Sequence, residues 1–332
     1  MRMAFFINDP VTNSVAAIAL SWVRQLATQF PEDRFLVLVE APFSAFTELD
    51  AIEQVQIESV PHRYPFFPFW SDALLYKKLF SFRPDLFISA HPVQHNFTRW
   101  KQARITAGGG LLARGIETFF IPFASADYTI LGTEEKLAIK EQWTFGREFF
   151  MLAGPLPSEP QLTLLLQAFS IFKHRQQSGL RLLLPLSIAD HYPSLAKKID
   201  QYKYQDALVI TGPIDAAQVA QLAAAAYALV APGSPGSALL ATVQAWRAGI
   251  PLLAMPDTSL STFANESVLI ASESTKDALA TIMMRIYKDE ALRLQLIRNG
   301  QQCGSVKDIA EETNRLRVTL QQLVSESLDH TA

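Results

Sequence analysis

Short apolar runs alternate with longer stretches of helical period along the whole chain, which is the sequence sign of βαβ units feeding a parallel sheet. In the first half, Arg2–Ile7, Arg34–Val39, Val55–Val60, Asp85–Ala90, Arg104–Ala107 and Tyr128–Leu131 predict strands. Val15–Gln29, Ser71–Phe82, Arg114–Phe123 and Glu134–Gln142 carry helical spacing. The helix at 71–82 stops at Arg83-Pro84, because a residue before proline is driven out of the right-handed helical region. A second series then runs through strands at Phe149–Ala153, Leu180–Pro185, Ala207–Thr211, Ala228–Ala231, Pro251–Met255 and Val268–Ala271. Its helices are Gln161–Arg175, Pro193–Gln201, Ala216–Ala226 and Ala238–Arg247, and two long helical stretches, Lys276–Arg298 and Val306–Leu323, close the chain.

Two successive α/β series of similar size predict two Rossmann-like domains whose parallel sheets face a central cleft. The length of 332 residues suits two domains. The expected boundary falls between Thr144 and Phe150, giving an N-terminal domain at 1–147 and a second domain at 148–305. Hydrophobic residues at 49% and charged residues at 18% provide for buried cores and exclude a disordered chain. The net charge is −3, and neither half concentrates basic residues, so a nucleic-acid footprint is not expected. Cys303 is the single cysteine, which excludes an internal disulfide and points to a reducing compartment. No leader pattern and no apolar run of membrane-spanning length is visible, so a cytoplasmic protein is expected, with peripheral membrane association left open.

The order of segments in the second series resembles the donor-binding domain of GT-B glycosyltransferases, specifically the large retaining family 4. Met151-Leu152-Ala153-Gly154 followed by Leu164–Phe169 resembles that family's opening strand, turn and helix. Val209–Ile214, containing Gly212, Pro213 and Ile214, resembles the strand and turn beside the nucleotide base. Gln218–Val230 precedes a turn, Pro232-Gly233-Ser234-Pro235-Gly236-Ser237, that stands where the family places its donor loop. Gln244–Pro251 follows, Gly249-Ile250-Pro251-Leu252-Leu253 is the most family-like stretch, and the likeness covers residues 149–300. The resemblance implies a GT-B fold whose C-terminal segment, 306–332, packs back on the N-terminal domain. It also implies transfer of a sugar, with retention, from a nucleotide-sugar donor to a hydroxyl acceptor, and no bound metal or other cofactor.

Several family groups are replaced. The family carries two glutamates eight positions apart, and those positions here are Gly236 and Gln244. Glutamine still accepts and donates hydrogen bonds to ribose hydroxyls but lacks the charge of a carboxylate. An arginine and a lysine that balance the family's diphosphate correspond to Pro155 and Pro160, removing two fixed cations from the leaving group. Ile105–Gly108 stands where the family has a histidine in the N-terminal domain.

The residues left to form a site are mostly backbone. Gly233, Ser234, Gly236 and Ser237 sit between a strand and a helix at the carboxyl edge of a sheet, where α/β folds bind ligands. An ordinary strand-to-helix turn uses the same residue types. Gly108-Gly109-Gly110 reads either as a loop approached closely by ligand or as a shortened connection. Asp9, after the first strand, is a candidate to act on an acceptor hydroxyl, although Asn8-Asp9-Pro10 is also a turn signature. His91 and His95 follow a strand and are candidate proton acceptors. Pro92 prevents one helix from carrying both as a metal pair, and solvated loop histidines are the plainer reading. Five of the seven residues Tyr64–Trp70 are aromatic, suited to stacking on a sugar or lipid-linked acceptor or to packing under the next helix. The expected function is a glycosyltransferase-like protein of glycan or polysaccharide synthesis. A catalytically inactive GT-B relative acting as a binding or scaffold protein is the alternative, and a sugar-phosphate epimerase of the same architecture is a third.

Overall fold

A computed structural model describes residues 1–7, 14–39, 52–60, 68–90, 100–106, 110–113, 116–119, 128–154, 156–233, 237–256, 260, 264–306 and 309–325. The chain forms two compact units, Met1–Phe123 together with Lys307–Ala332, and Ala124–Val306.

In the first unit, β1 (Arg2–Ile7), β2 (Arg34–Val39), β3 (Val55–Ser59), β4 (Leu86–Ser89), β5 (Lys101–Ile105), β6 (Gly110–Ala113) and β7 (Ile116–Phe119) form one sheet. Its order is β3-β2-β1-β4-β5-β6-β7. The first five strands pair in parallel and the last two add an antiparallel hairpin. Successive side chains leave a strand on opposite faces. Met3, Phe5 and Ile7 of β1 therefore pack with α1 (Ser14–Gln29), while Ala4 turns to the other side with α2 (Pro68–Phe82). In α1 the buried Ala16, Ala19, Val23 and Leu26 repeat at helical spacing and press on the sheet with Trp22. In α2, Leu75 and Leu79 do the same on the opposite face. Arg83 ends α2 at φ 52°, outside the helical region as Pro84 requires.

The C-terminal helix, Ile309–Ser325, belongs to this first unit, and its Leu316 and Leu320 are fully buried in the same cluster as β1 and α1. Full burial of two leucines contributes roughly 3–6 kcal/mol before entropy is counted. A charged contact adds direction. Arg317 Nε lies 2.9 Å from Asp33 Oδ2, its Nη2 lies 2.5 Å from Glu32 Oε1, and its guanidinium stands 4.1 Å from the Phe30 ring centroid. Asp33 is fully buried and also accepts from the amino-terminal ammonium at 2.7 Å, so its charge is matched from both ends of the chain.

The second unit holds β8 (Phe149–Leu152), β9 (Arg181–Leu184), β10 (Leu208–Ile210), β11 (Ala228–Ala231), β12 (Leu252–Ala254) and β13 (Val268–Ile270). They form an all-parallel sheet in the order β10-β9-β8-β11-β12-β13. Around it run α3 (Thr133–Thr144), α4 (Glu159–Gln176), α5 (Ile188–His191), α6 (Pro193–Ile199), α7 (Ala216–Ala225), α8 (Ser237–Ala248), α9 (Lys276–Lys288) and α10 (Glu290–Val306). The core joins Phe150 and Leu182 of the sheet to Leu162, Leu165, Phe169 and Phe172 of α4 and to Leu279, Met283 and Ile286 of α9. Both sheets thus share the 3-2-1-4-5 strand order of a Rossmann fold.

Four expectations change. The stretch 114–123, expected as helix, contributes β7, which pairs with β6 in the register Gly110↔Phe119 to Ala113↔Ile116. β-branched and aromatic residues at Ile116, Thr118 and Phe119 favour the pleat, and the two strands stand two residues apart, as in tight hairpins. Tyr128–Leu131 is irregular rather than a strand, with Tyr128 buried and Ile130 largely exposed. The stretch 276–298 is two helices, because Asp289 leaves helical geometry and its carboxylate accepts from the Leu292 N–H at 2.9 Å, capping α10. The units divide at 123/124 rather than 147/148, since α3 packs on α7 within the second unit.

Replacing Arg317 by alanine leaves Asp33 buried with one cation instead of two. We expect Arg317→Ala to lower stability by about 2 kcal/mol in urea denaturation, and an unchanged midpoint would remove this contact as a fastener of the C-terminal helix.

Candidate functional site

In the second sheet, β8 and β11 are hydrogen-bonded neighbours although two strands separate them in sequence. The chain leaves β8 toward β9 on one side and continues from β11 to β12 on the other. Such a reversal opens a crevice at the carboxyl ends of the two strands, the usual ligand position in open α/β sheets. Here those ends are Leu152 and Ala231, tied by the Ala153 N–H donating to the Val230 carbonyl at 2.9 Å. The structure therefore brings Gly154 and Gly233 to the same crevice edge, each two residues past its strand.

Gly154 has φ 87°, in the left-handed region that glycine enters without steric cost. The loop it opens is fastened from a distance. The Tyr192 hydroxyl donates to the Pro157 carbonyl, and the Ser158 N–H donates to Gln161 Oε1 at 2.8 Å in the first turn of α4. Ser194 donates to the Glu159 carboxylate at 2.6 Å. Pro160 stands in that first turn with no N–H to offer. A cavity of about 630 Å³ opens along α4, lined by Glu159, Pro160, Thr163, Leu164, Gln167 and Lys276.

On the β11 side, Pro232 is buried and Gly233 half-buried, and α8 starts at Ser237. Helix α8 is held from behind. Trp246 is buried, its indole N–H donates to Ser267 Oγ at 2.9 Å, and it packs against Gly300 of α10 so closely that a Cβ there would sit 2.7 Å from Trp246 Cδ1. Gln244 lies two residues from Trp246 and so faces another side of the helix; it is half-buried and makes no side-chain hydrogen bond among the described residues. Arg247, one turn along from Gln244, is pulled below its usual range by burial.

Gly212, Pro213 and Ile214 follow β10, three strand positions from β11, or about 14 Å along the sheet edge at the usual strand spacing. Gly212 has φ 71°, and the turn ends at Asp215, which caps α7 by accepting from the Gln218 N–H at 2.7 Å. These residues form the far end of an elongated rim rather than part of the crevice. Asp9, His91, His95, Gly108, Gly109, Pro155, Ser234 and Gly236 lie outside the described residues, as do Tyr64–Phe67. Gly110 opens β6 as a strand residue opposite Phe119. Pro68, Phe69 and Trp70 form the first turn of α2. Among the described residues no group of three or more His, Cys, Asp or Glu is placed to hold a metal ion, and no helix is long and apolar enough to cross a membrane.

Tyr192, Ser267 and Gly300 were not among the sequence candidates. Each acts on a loop or helix tens of residues away, and no local pattern marks such a partner.

The sequence model of the glycosyl transferases group 1 family matches residues 134–303. With just over half its length matched, the chain belongs to that family. Solved structures agree on the GT-B fold. The chain is similar to Anabaena Alr3699/HepE in complex with UDP and glucose, with a TM-score of 0.74 and 13% identity over 97% of this chain and 100% of that one. It is also similar to sucrose-phosphate synthase from Thermosynechococcus elongatus, with a TM-score of 0.72 and 15% identity over 98% and 100%. A third likeness is to WaaG, a glycosyltransferase involved in lipopolysaccharide biosynthesis, with a TM-score of 0.67 and 11% identity over 97% and 99%. No curated protein matches the chain in sequence.

Two outcomes test how the crevice is held. Gly300→Ala is expected to lower stability by about 1 kcal/mol, because overpacking of roughly 1–3 kcal/mol exceeds the helix-propensity gain; chemical denaturation reads this, and a stabilised variant would show that Trp246 is not fixed. Burial pushes the Tyr192 and Tyr202 phenols up to about 12, with Glu159 adding to the effect at Tyr192. A folded value above the unfolded one means that the stabilisation is complete below about pH 10 and is lost as pH rises toward 12. Burial raises Tyr227 as well, and phenolate absorbance should show one late-titrating tyrosine fewer in Tyr192→Phe than in the native chain.

Proposed function

We propose that the protein transfers a sugar from a nucleotide-sugar donor to a hydroxyl acceptor, a glycan or a lipid-linked one, in cytoplasmic glycan or polysaccharide synthesis. The observation that carries this reading is the β8/β11 switch point of a group 1 chain, with glycine at both lips of the crevice. The diphosphate would lie against the backbone around Gly154 and between Gly233 and Ser237, where the N-terminus of α8 supplies N–H groups and positive dipole. Gln244, inside α8 and without a partner among the described residues, would meet the ribose hydroxyls. The base would lie toward Gly212, Pro213 and Ile214, an arrangement suited to an extended nucleoside diphosphate on a rim of about 14 Å. Held donor and acceptor would react without solvent competition, which supplies much of the rate in such transfers. The reading invokes no metal and no further cofactor, in keeping with the family resemblance.

A second reading has its own support. Pro160 places neither a cation nor an N–H in the first turn of α4, and Gln244 replaces a carboxylate. A leaving diphosphate without fixed positive charge loses the interaction that dominates this chemistry. A relative that binds the donor without turning it over, acting as a binding or scaffold partner, fits these substitutions.

Thermal-shift screening against nucleotides and nucleotide sugars, followed by donor hydrolysis on each hit, separates the two readings. Binding with turnover supports the transferase, binding without turnover supports the inactive relative, and no binding overturns both. Gln244→Ala is expected to weaken nucleotide affinity several-fold by calorimetry. An unchanged affinity would rule out the ribose contact.

A further inference from the structure

The edge of the second sheet where its strands begin carries a cluster that the donor site does not use. Arg147 lies two residues before β8, and Arg181 is the first residue of β9, its register partner Phe149 opening β8. Lys173 reaches the same place from the last turn of α4 and donates to the carbonyls of Ser178 and Leu180, the latter at 3.2 Å. Arg147 lies over Gly179, where a Cβ would come within 2.7 Å of its Nη1. The three cations repel one another: burial first, then Arg181 and Arg147, push the Lys173 ammonium below its usual range. Among the described residues neither arginine pairs with a carboxylate. Glu148 is engaged by Lys140 at 2.6 Å, and the Glu141 carboxylate lies against Gly146.

Phe145 adds a second anomaly. It caps α3 at φ 54°, a position that glycine or asparagine usually fills, and it is 74% exposed. The Arg181 guanidinium stands 5.1 Å from its ring centroid. A helix C-terminus accounts for a cation such as Lys173. It does not account for two arginines without carboxylates, nor for a phenylalanine held in left-handed backbone with its ring in solvent. Backbone outliers of this kind persist where the surrounding structure uses them.

We infer that Arg147, Arg181 and Lys173 form a binding site for a phosphate-bearing ligand, with the Phe145 ring as its apolar wall. Guanidinium groups meet phosphate oxygens with paired, charge-assisted hydrogen bonds. A bound phosphate also relieves the repulsion among the three cations. The ring, already beside one guanidinium, offers its face to the uncharged part of the ligand. This site goes beyond the transferase reading and stands at the opposite edge of the sheet from the crevice.

The test uses the full chain with two probes, pyrophosphate in calorimetry and phosphatidylglycerol vesicles in co-sedimentation, with phosphatidylcholine vesicles as the neutral control. At least one anionic probe is expected to bind, and affinity should fall tenfold or more in Arg147→Gln/Arg181→Gln. Pyrophosphate binding identifies a soluble phosphate ligand, whereas binding to the anionic vesicles alone identifies a lipid headgroup. Phe145→Gly should weaken the same binding several-fold while raising the melting temperature, a combination that a purely structural role does not produce. The single exposed change Arg147→Gln serves if the double variant melts early. Affinity for any nucleotide or nucleotide sugar that binds the chain should be unchanged in Arg147→Gln/Arg181→Gln, which keeps failure here distinct from failure of the donor site. Absence of binding to both anionic probes, or binding whose affinity and stoichiometry the arginine substitutions leave unchanged, overturns the inference.

Discussion

Parallel pairing of β8 with β11 is the constraint on which the second unit depends. Two strands and four helices of chain intervene between them, so their hydrogen bonds form only after a crossover has been completed. Once formed, the pair leaves two loops with nowhere to go but outward at one edge, and the candidate donor contacts lie on those loops, on the rim that continues from them, or, for Gln244, in the helix that follows β11. The rest of the unit keeps the edge in place. Tyr192 holds the loop after β8, Trp246 and Ser267 hold the helix after β11, and Gly300 leaves room for the indole.

The chemistry of that edge is unusual in being nearly neutral. Hydrogen bonds from backbone N–H groups and the dipole of α8 are what the described residues around the crevice offer, and proline in the first turn of α4 subtracts one donor. A neutral cradle still selects phosphate by geometry, but it provides less differential stabilisation as charge builds on a leaving group. Arg247 is desolvated within α8, and Lys276 lines the cavity beside Pro160.

The fold was legible wherever one period dominated. Ala228–Ala231, bounded by a small-residue helix and a glycine turn, reads as a buried strand and is one. Reading failed where tertiary pairing overrode spacing. Ile116–Phe119 has apolar positions compatible with helix, and only the neighbouring β6 makes it a strand. Asp289 was hidden inside a helical pattern because a cap shows itself only when the next turn accepts it. Family membership was legible in segment order, and the crevice glycines stood out because a turn at a strand end needs them. The fasteners were not legible. Nothing local to Tyr192 says that its hydroxyl will reach Pro157, and the Gly300–Trp246 contact joins two helices across the unit.

The seating of Ile309–Ser325 in the first unit has a consequence for how the molecule is made. Ribosomes release the chain in order, so the sheet of β1 to β7 is synthesised long before the helix that packs on α1 and β4. At roughly 5–20 residues per second, that apolar face waits on the order of ten seconds or more while the whole second unit emerges. The second unit is one continuous stretch and has every residue it needs before the first unit does. The earlier-born half is therefore the later to be completed, and its unfinished apolar face is the one open to misassociation during synthesis.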